Sequence, residues 1–204
     1  MGPVRHALRA ATQPIHDRLD KAAILRPLTS PDITVDGYRA ALVALHGFNA
    51  PMERALGGPG AQEGDRLELL RADLADLGLD ADALPVADGL PDLDRPAARL
   101  AARYVLDGSA HGGRAMLPNV TRALGFDADR GARFLASAGI DMAGRWRELL
   151  AQLESDLAEP AATAEACDAA VALFAALEVW LDRCALNSPL PSGERVGGGG
   201  ARRA

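Results

Sequence analysis

The stretch Tyr104-Val105-Leu106-Asp107-Gly108-Ser109-Ala110-His111-Gly112-Gly113-Arg114 sets three glycines inside what its flanks make a single helix. Pro96 to Leu106 reads as strong helix, and apolar residues resume at Met116, Leu117, Val120 and Leu124. Each interior glycine costs roughly 0.5–1 kcal/mol relative to alanine. A chain this rich in alanine forgoes the better helix former here, so the backbone itself must be approached closely. Gly108 and Gly112 lie four residues apart and stack on one face, with Tyr104 one turn earlier on the same stripe. Gly113 widens the gap. Two readings fit: a neighbouring helix packed tightly against the strip, or the wall of a slot that holds something flat.

The chain has 204 residues, enough for one domain with a substantial core. Apolar residues make up 49% but aromatics only 4%, so the core is built from Leu, Ala and Val, which favours helices. The net charge of −6 leaves no domain-wide basic field, which argues against nucleic acid as a partner. Arginine far outnumbers lysine, and local arginine clusters still suit small anionic ligands. Cys167 and Cys184 fall in one expected helix, about 25 Å apart along its axis, too far to pair. No apolar run reaches the roughly 20 residues that span a bilayer, and no signal-peptide core opens the chain. The expected location is cytoplasmic, with no membrane association.

Helical signals recur along the chain, and nothing alternates with the period of a strand. Val4, Leu8, Ala11, Ile15 and Leu19 stripe a first helix. A second runs from about Asp36 to Leu56, bent by Pro51, and a shorter one covers Asp65 to Leu77. Gly- and Pro-rich segments at 57–64 and 78–91 read as loops. Asp94 is expected to cap the glycine-containing helix, with Pro96 in its first turn and Pro118 as a kink. Asp127 is expected to cap the next helix, which ends near Gly139. Asp141 caps another, which Pro160 closes, and Thr163 opens the last. The expectation is an all-α bundle of about seven helices over residues 1–186. Residues 187–204, rich in Gly, Pro and Arg, form an expected disordered tail.

The four histidines are His6, His16, His46 and His111. None has Glu three residues before it, so the pairs of a di-iron bundle are missing; HExxH and zinc-type Cys/His clusters are missing too. A metal would therefore arrive inside a cofactor and take a single protein ligand. His16 suits that role, at the border of the first apolar stripe, with Arg9 seven residues earlier and about 10 Å away on nearly the same line. The plain alternative is a half-buried surface histidine beside a solvated arginine.

The opening Leu8-Arg9-Ala10-Ala11-Thr12-Gln13-Pro14-Ile15-His16-Asp17-Arg18-Leu19-Asp20, together with Tyr104 to Arg114, resembles the bacterial biliverdin-producing haem oxygenases. The stretch from Gly139 to Leu150, with Trp146-Arg147, is also similar, and the resemblance runs from about residue 5 to 185. It implies a haem slot between the first helix and a kinked, glycine-rich distal helix. His16 would be the axial ligand, and Gly108, Ser109, Gly112 and Gly113 the distal wall. Arg9, Thr12, Tyr104 and Arg114 would contact the cofactor. Haem b would be both cofactor and substrate, opened with O₂ and reductant to biliverdin, CO and iron. Implied partners are a ferredoxin or flavoprotein reductase as electron donor and a bacterial phytochrome as bilin acceptor.

His111 departs from that pattern, since relatives usually carry an apolar or small residue before the Gly-Gly pair. On a straight helix it sits about 60° from the Gly108–Gly112 line. It either points away, or reaches the iron or its ligand. In the second case His16 and His111 together would make a non-catalytic haem or tetrapyrrole carrier or sensor.

Overall fold

The computed structural model describes residues 2–57 and 65–187. Among these residues it contains seven α-helices and no strand: α1 (Pro3–Leu19), α2 (Val35–Leu56), α3 (Asp65–Asp76), α4 (Pro96–Leu124), α5 (Arg133–Ala136), α6 (Met142–Asp156) and α7 (Pro160–Asn187). Short 3₁₀ turns occupy Arg26–Thr29 and Ala81–Ala83. Nearly all of the expected 57–64 loop, and the tail from residue 188, lie outside the described residues.

Helix α7 is the hub, packed along α1 and α4 and against α2. Small residues make the α4–α7 approach possible: Ala97, Ala98, Ala101 and Ala102 face inward from α4, and Ala166 and Ala170 from α7, all buried. The low aromatic content is thus a packing strategy. α1 lies on α7 and α6, and its first backbone N–H groups are capped from α6. Val4 N–H donates to Glu154 Oε2 at 3.1 Å and Arg5 N–H to Oε1 at 2.9 Å, placing an anion on the positive end of the helix.

Two apolar clusters form the interior. One gathers Leu8, Phe48, Met52, Val105, Leu153, Leu173 and Trp180; the other gathers Leu28, Tyr38, Leu42, Leu74, Val120, Phe134 and Leu135. α4 spans both, contributing residues 97–106 to the first and Val120 to the second. Its glycine segment crosses the seam between them.

Several expected helix ends differ. Asp94 is not the α4 cap: Arg95 occupies that position without a side-chain bond, and Pro96 starts the helix. Asp127 caps no helix; its Oδ1 accepts from the backbone of Asp129 and Arg130, closing a turn before the one-turn α5. Aspartate serves turns as well as caps, so sequence does not distinguish the two. Asp141 does cap α6, accepting from Gly144 N–H at 2.9 Å. Pro160 opens α7 instead of merely closing α6, as its fixed φ allows at a first turn. Helix α4 continues through Pro118 to Leu124, where Gly125 ends it in the left-handed conformation (φ 73°).

Candidate functional site

His16 stands near the C-terminal end of α1 with its side chain 54% exposed. Its Nδ1 lies 3.3 Å from Asp20 Oδ2, one turn on, and its ring meets the edge of Phe174 from α7 with centroids 6.1 Å apart. A carboxylate that takes Nδ1–H leaves Nε2 as the nitrogen with a free lone pair, the usual way of orienting a metal-binding imidazole. Asp17 is close by: among the described residues, His16, Asp17 and Asp20 are the one group of potential ligands whose donor atoms cluster within 4.8 Å. All three are exposed on one turn, so they do not enclose an ion by themselves. Arg9 is also exposed on α1. Thr12 is buried and donates its hydroxyl to Leu8 O at 2.8 Å, so that proton is spent within its own helix.

The Tyr104–Gly108–His111 stripe of α4 gathers around Trp146 of α6. Tyr104 stacks on the indole at 5.4 Å, 29° from parallel, and His111 meets it edge-on at 5.3 Å. Arg5 of α1 lies over the same ring at 5.8 Å. Burial pushes the Tyr104 phenol above its ordinary range, while the nearby Arg5 and Arg9 guanidinium groups pull it back. His111 is exposed, with Nδ1 3.2 Å from Gly108 O. A carbonyl only accepts, so this contact requires Nδ1–H and again leaves Nε2 free.

The three glycines do different things. A Cβ on Gly113 would lie 3.2 Å from Leu135 O and 3.3 Å from Leu135 Cα, so this glycine admits the backbone of α5. A Cβ on Gly108 would rest in ordinary contact with Trp146, at 3.6 Å. At Gly112 it would meet only Met116 Cε, at 4.0 Å. Close packing therefore accounts for Gly113 and does not account for Gly112.

The other side of α4 is braced by charge. Asp107, 3% exposed, receives Arg145 of α6 through both oxygens, each at 2.9 Å. Glu53 of α2 receives Arg103 at 2.7 Å. Arg66 of α3 donates from Nη1 to Leu106 O at 2.8 Å and to Ser109 Oγ at 3.0 Å. Arg114 turns toward α5, where its Nε donates to Ala136 O at 3.4 Å.

The structure thus brings Tyr104, Gly108 and His111 together and leaves Gly112 open. It engages Ser109 and Arg114 with other protein groups. Sequence reasoning missed Asp20, Arg5, Arg66, the Asp107–Arg145 pair and the position of Trp146. Asp20 was legible, since i,i+4 spacing from His16 puts it on the same helix face; the others depend on contacts between distant segments.

No protein-family model matches the chain, and no curated protein matches it significantly. Solved structures do match. The haem oxygenase of Neisseria meningitidis, solved in NO- and CO-bound forms, is similar with a TM-score of 0.70 and 22% identity, over 89% of this chain and 91% of that one. The haem oxygenase of Leptospira interrogans is similar with a TM-score of 0.70 and 18% identity, over 89% of this chain and all of that one (100%). The chain has the haem oxygenase fold.

Proposed function

We propose that this protein binds haem between α1 and the glycine segment of α4 and opens the macrocycle to biliverdin, CO and iron. The observation that carries the reading is Gly112. It is a helix-interior glycine facing open space, in a fold shared with two haem oxygenases, with the candidate ligand His16 carried by a different helix. The donor set fits the cofactor. His16, oriented by Asp20, offers one neutral nitrogen to iron, and Arg5 and Arg9 near Tyr104 suit propionates.

Bound haem would supply the iron that reduces O₂ and the ring carbon that is oxidised. The chain's own residues hold and shape it. His16 would hold the iron. The α4 backbone at Gly112 would let the ring approach with no side chain in the way, while Trp146 packs against Gly108. The Trp146 indole, stacked on Tyr104, keeps water from the Tyr104 end of the slot. Ser109 Oγ, which donates to Leu106 O at 2.6 Å, retains a lone pair for a hydrogen bond from the slot. Electrons would come from a ferredoxin or flavoprotein reductase, and a bacterial phytochrome would be one acceptor of the bilin.

The test is a titration with ferric haem followed under air by ascorbate with an iron chelator. Saturation of a Soret band at one haem per chain, then its decay into a red-absorbing bilin, supports the reading. A chain that takes up no haem at micromolar concentration overturns it.

One observation favours a second reading: the exposed His111 has Nε2 free. Ligation by both His16 and His111 would give a haem carrier or sensor. It would show as a low-spin spectrum that survives reductant and is lost in His111→Leu. A ferric spectrum and turnover both unchanged in that variant would remove His111 from the site.

A further inference from the structure

Arg66 belongs to none of the sequence motifs, yet it is 4% exposed beneath the glycine segment. Its guanidinium carbon lies over Phe134, 4.4 Å from the ring centre, and its Nη1 bridges Leu106 O and Ser109 Oγ. Its Nε and Nη2 are buried with no partner among the described residues. Ser109 donates its one hydroxyl proton to Leu106 O, so while Arg66 is in place this hydroxyl is an acceptor only.

The charges around Arg66 do not cancel. Glu53 is taken by Arg103 and Asp107 by Arg145, and among the described residues no carboxylate pairs directly with the Arg66 cation. An unpaired buried charge is costly, and an aliphatic side chain of similar length would fill the space without that cost. Unsatisfied donors in a native interior call for an explanation, and these lie beside the wall of the proposed slot.

We infer that Arg66 is a positioning residue of that slot: it locks the Ser109 hydroxyl as an acceptor and sets a surplus positive charge behind the glycine wall, favouring small anions bound on that side. The inference rests on the haem-binding reading. It concerns a residue 43 positions away from the serine it holds, and no local pattern marks it.

The test loads Arg66→Met, Arg66→Lys, Ser109→Ala and the parent chain with ferric haem and titrates each with azide. Melting of the haem-free forms is followed in parallel. Loss of this buried charge should weaken azide binding in Arg66→Met by about tenfold. Arg66→Lys, which keeps the charge, should fall between, and Ser109→Ala, which removes an acceptor and no charge, should leave azide binding intact. A purely structural role would lower the melting temperature and leave azide affinity unchanged. Azide affinity within about twofold of the parent in Arg66→Met, with haem still bound one to one, overturns the inference. If Arg66→Met does not fold, Arg66→Gln takes its place, and azide affinity within about twofold of the parent in that variant overturns the inference. A parent chain that binds no haem is a distinct result: it overturns the proposed function and this inference with it.

Discussion

Helices α1 and α4, the two walls of the proposed slot, are built on opposite principles. On α1 the candidate ligand His16 is about half exposed, and its one polar support is Asp20 on the same helix. On α4 the glycine segment is held from three other helices, by Arg66 of α3, Leu135 of α5 and Arg145 of α6. An exposed ligand on a free face can adjust as a cofactor enters. A braced backbone sets how near the ring can come, because cross-element hydrogen bonds and buried charge pairs resist displacement. On the proposed reading, α1 would supply the ligand and α4 the geometry of the slot.

Replacing His16 with alanine should have the largest effect on the cofactor. The expected outcome is loss of the low-energy Soret shift on haem addition and loss of bilin formation, with haem-free melting unchanged within a degree or two, since an exposed side chain contributes little to the fold. Arg145→Met is the counterpart on the other wall. It leaves Asp107 buried and unpaired, and because Arg145 is itself 28% exposed the expected loss is about 3 kcal/mol, at the low end for a broken buried pair. Urea denaturation of the haem-free protein measures it. If Arg145→Met is neutral while His16→Ala unfolds the chain, the contrast between the walls is reversed.

How much of this was legible follows the same division. The helices, the His16 position and the glycine strip are set by residues within a turn or two of one another, and periodicity reports such neighbours directly. Asp20 was equally readable by its spacing. The bracing of α4 was not. Arg66 reaches Ser109 across 43 residues and Arg145 reaches Asp107 across 38, and nothing near either arginine distinguishes it from a solvated one. Three of the expected site residues make contacts within the protein that spacing does not report. Thr12 bonds back into α1, Arg114 turns to α5, and Ser109 is engaged from beneath. Residue type and spacing identify a chemical group; only packing decides which way it points.

A smaller effect sharpens the picture of the packed side. His46 on α2 is 2% exposed, and among the described residues neither ring nitrogen has a hydrogen-bond partner. Burial, with the Arg71 charge added, holds its pKa below the usual histidine range. The unfolded chain therefore binds this proton more readily than the folded one. The histidine costs nothing above the unfolded pKa of about 6.5, and stability declines as pH falls below it, at no more than about 1.4 kcal/mol per pH unit. The melting temperature should fall more steeply between pH 7 and pH 5 in the parent than in His46→Leu. Parallel curves would mean that the imidazole is reached by water after all.

The smallest expected change is also the most discriminating, because it compares two adjacent residues of α4. At Gly112 an added methyl group meets open space, so Gly112→Ala should stabilise the haem-free protein by roughly 0.5–1 kcal/mol, the ordinary gain for alanine inside a helix. If haem lies there, the same methyl occupies the space meant for the ring, and haem affinity or turnover should drop despite the gain in stability. At Gly113 the methyl presses on the Leu135 backbone, which yields less readily than a side-chain tip, so the helical gain should be cancelled or reversed. Opposite signs for stability and haem binding in Gly112→Ala, without that split in Gly113→Ala, would mean that one glycine serves the ligand and its neighbour serves the fold. Equal behaviour of the two would reduce the whole strip to helix packing and leave the slot without its wall.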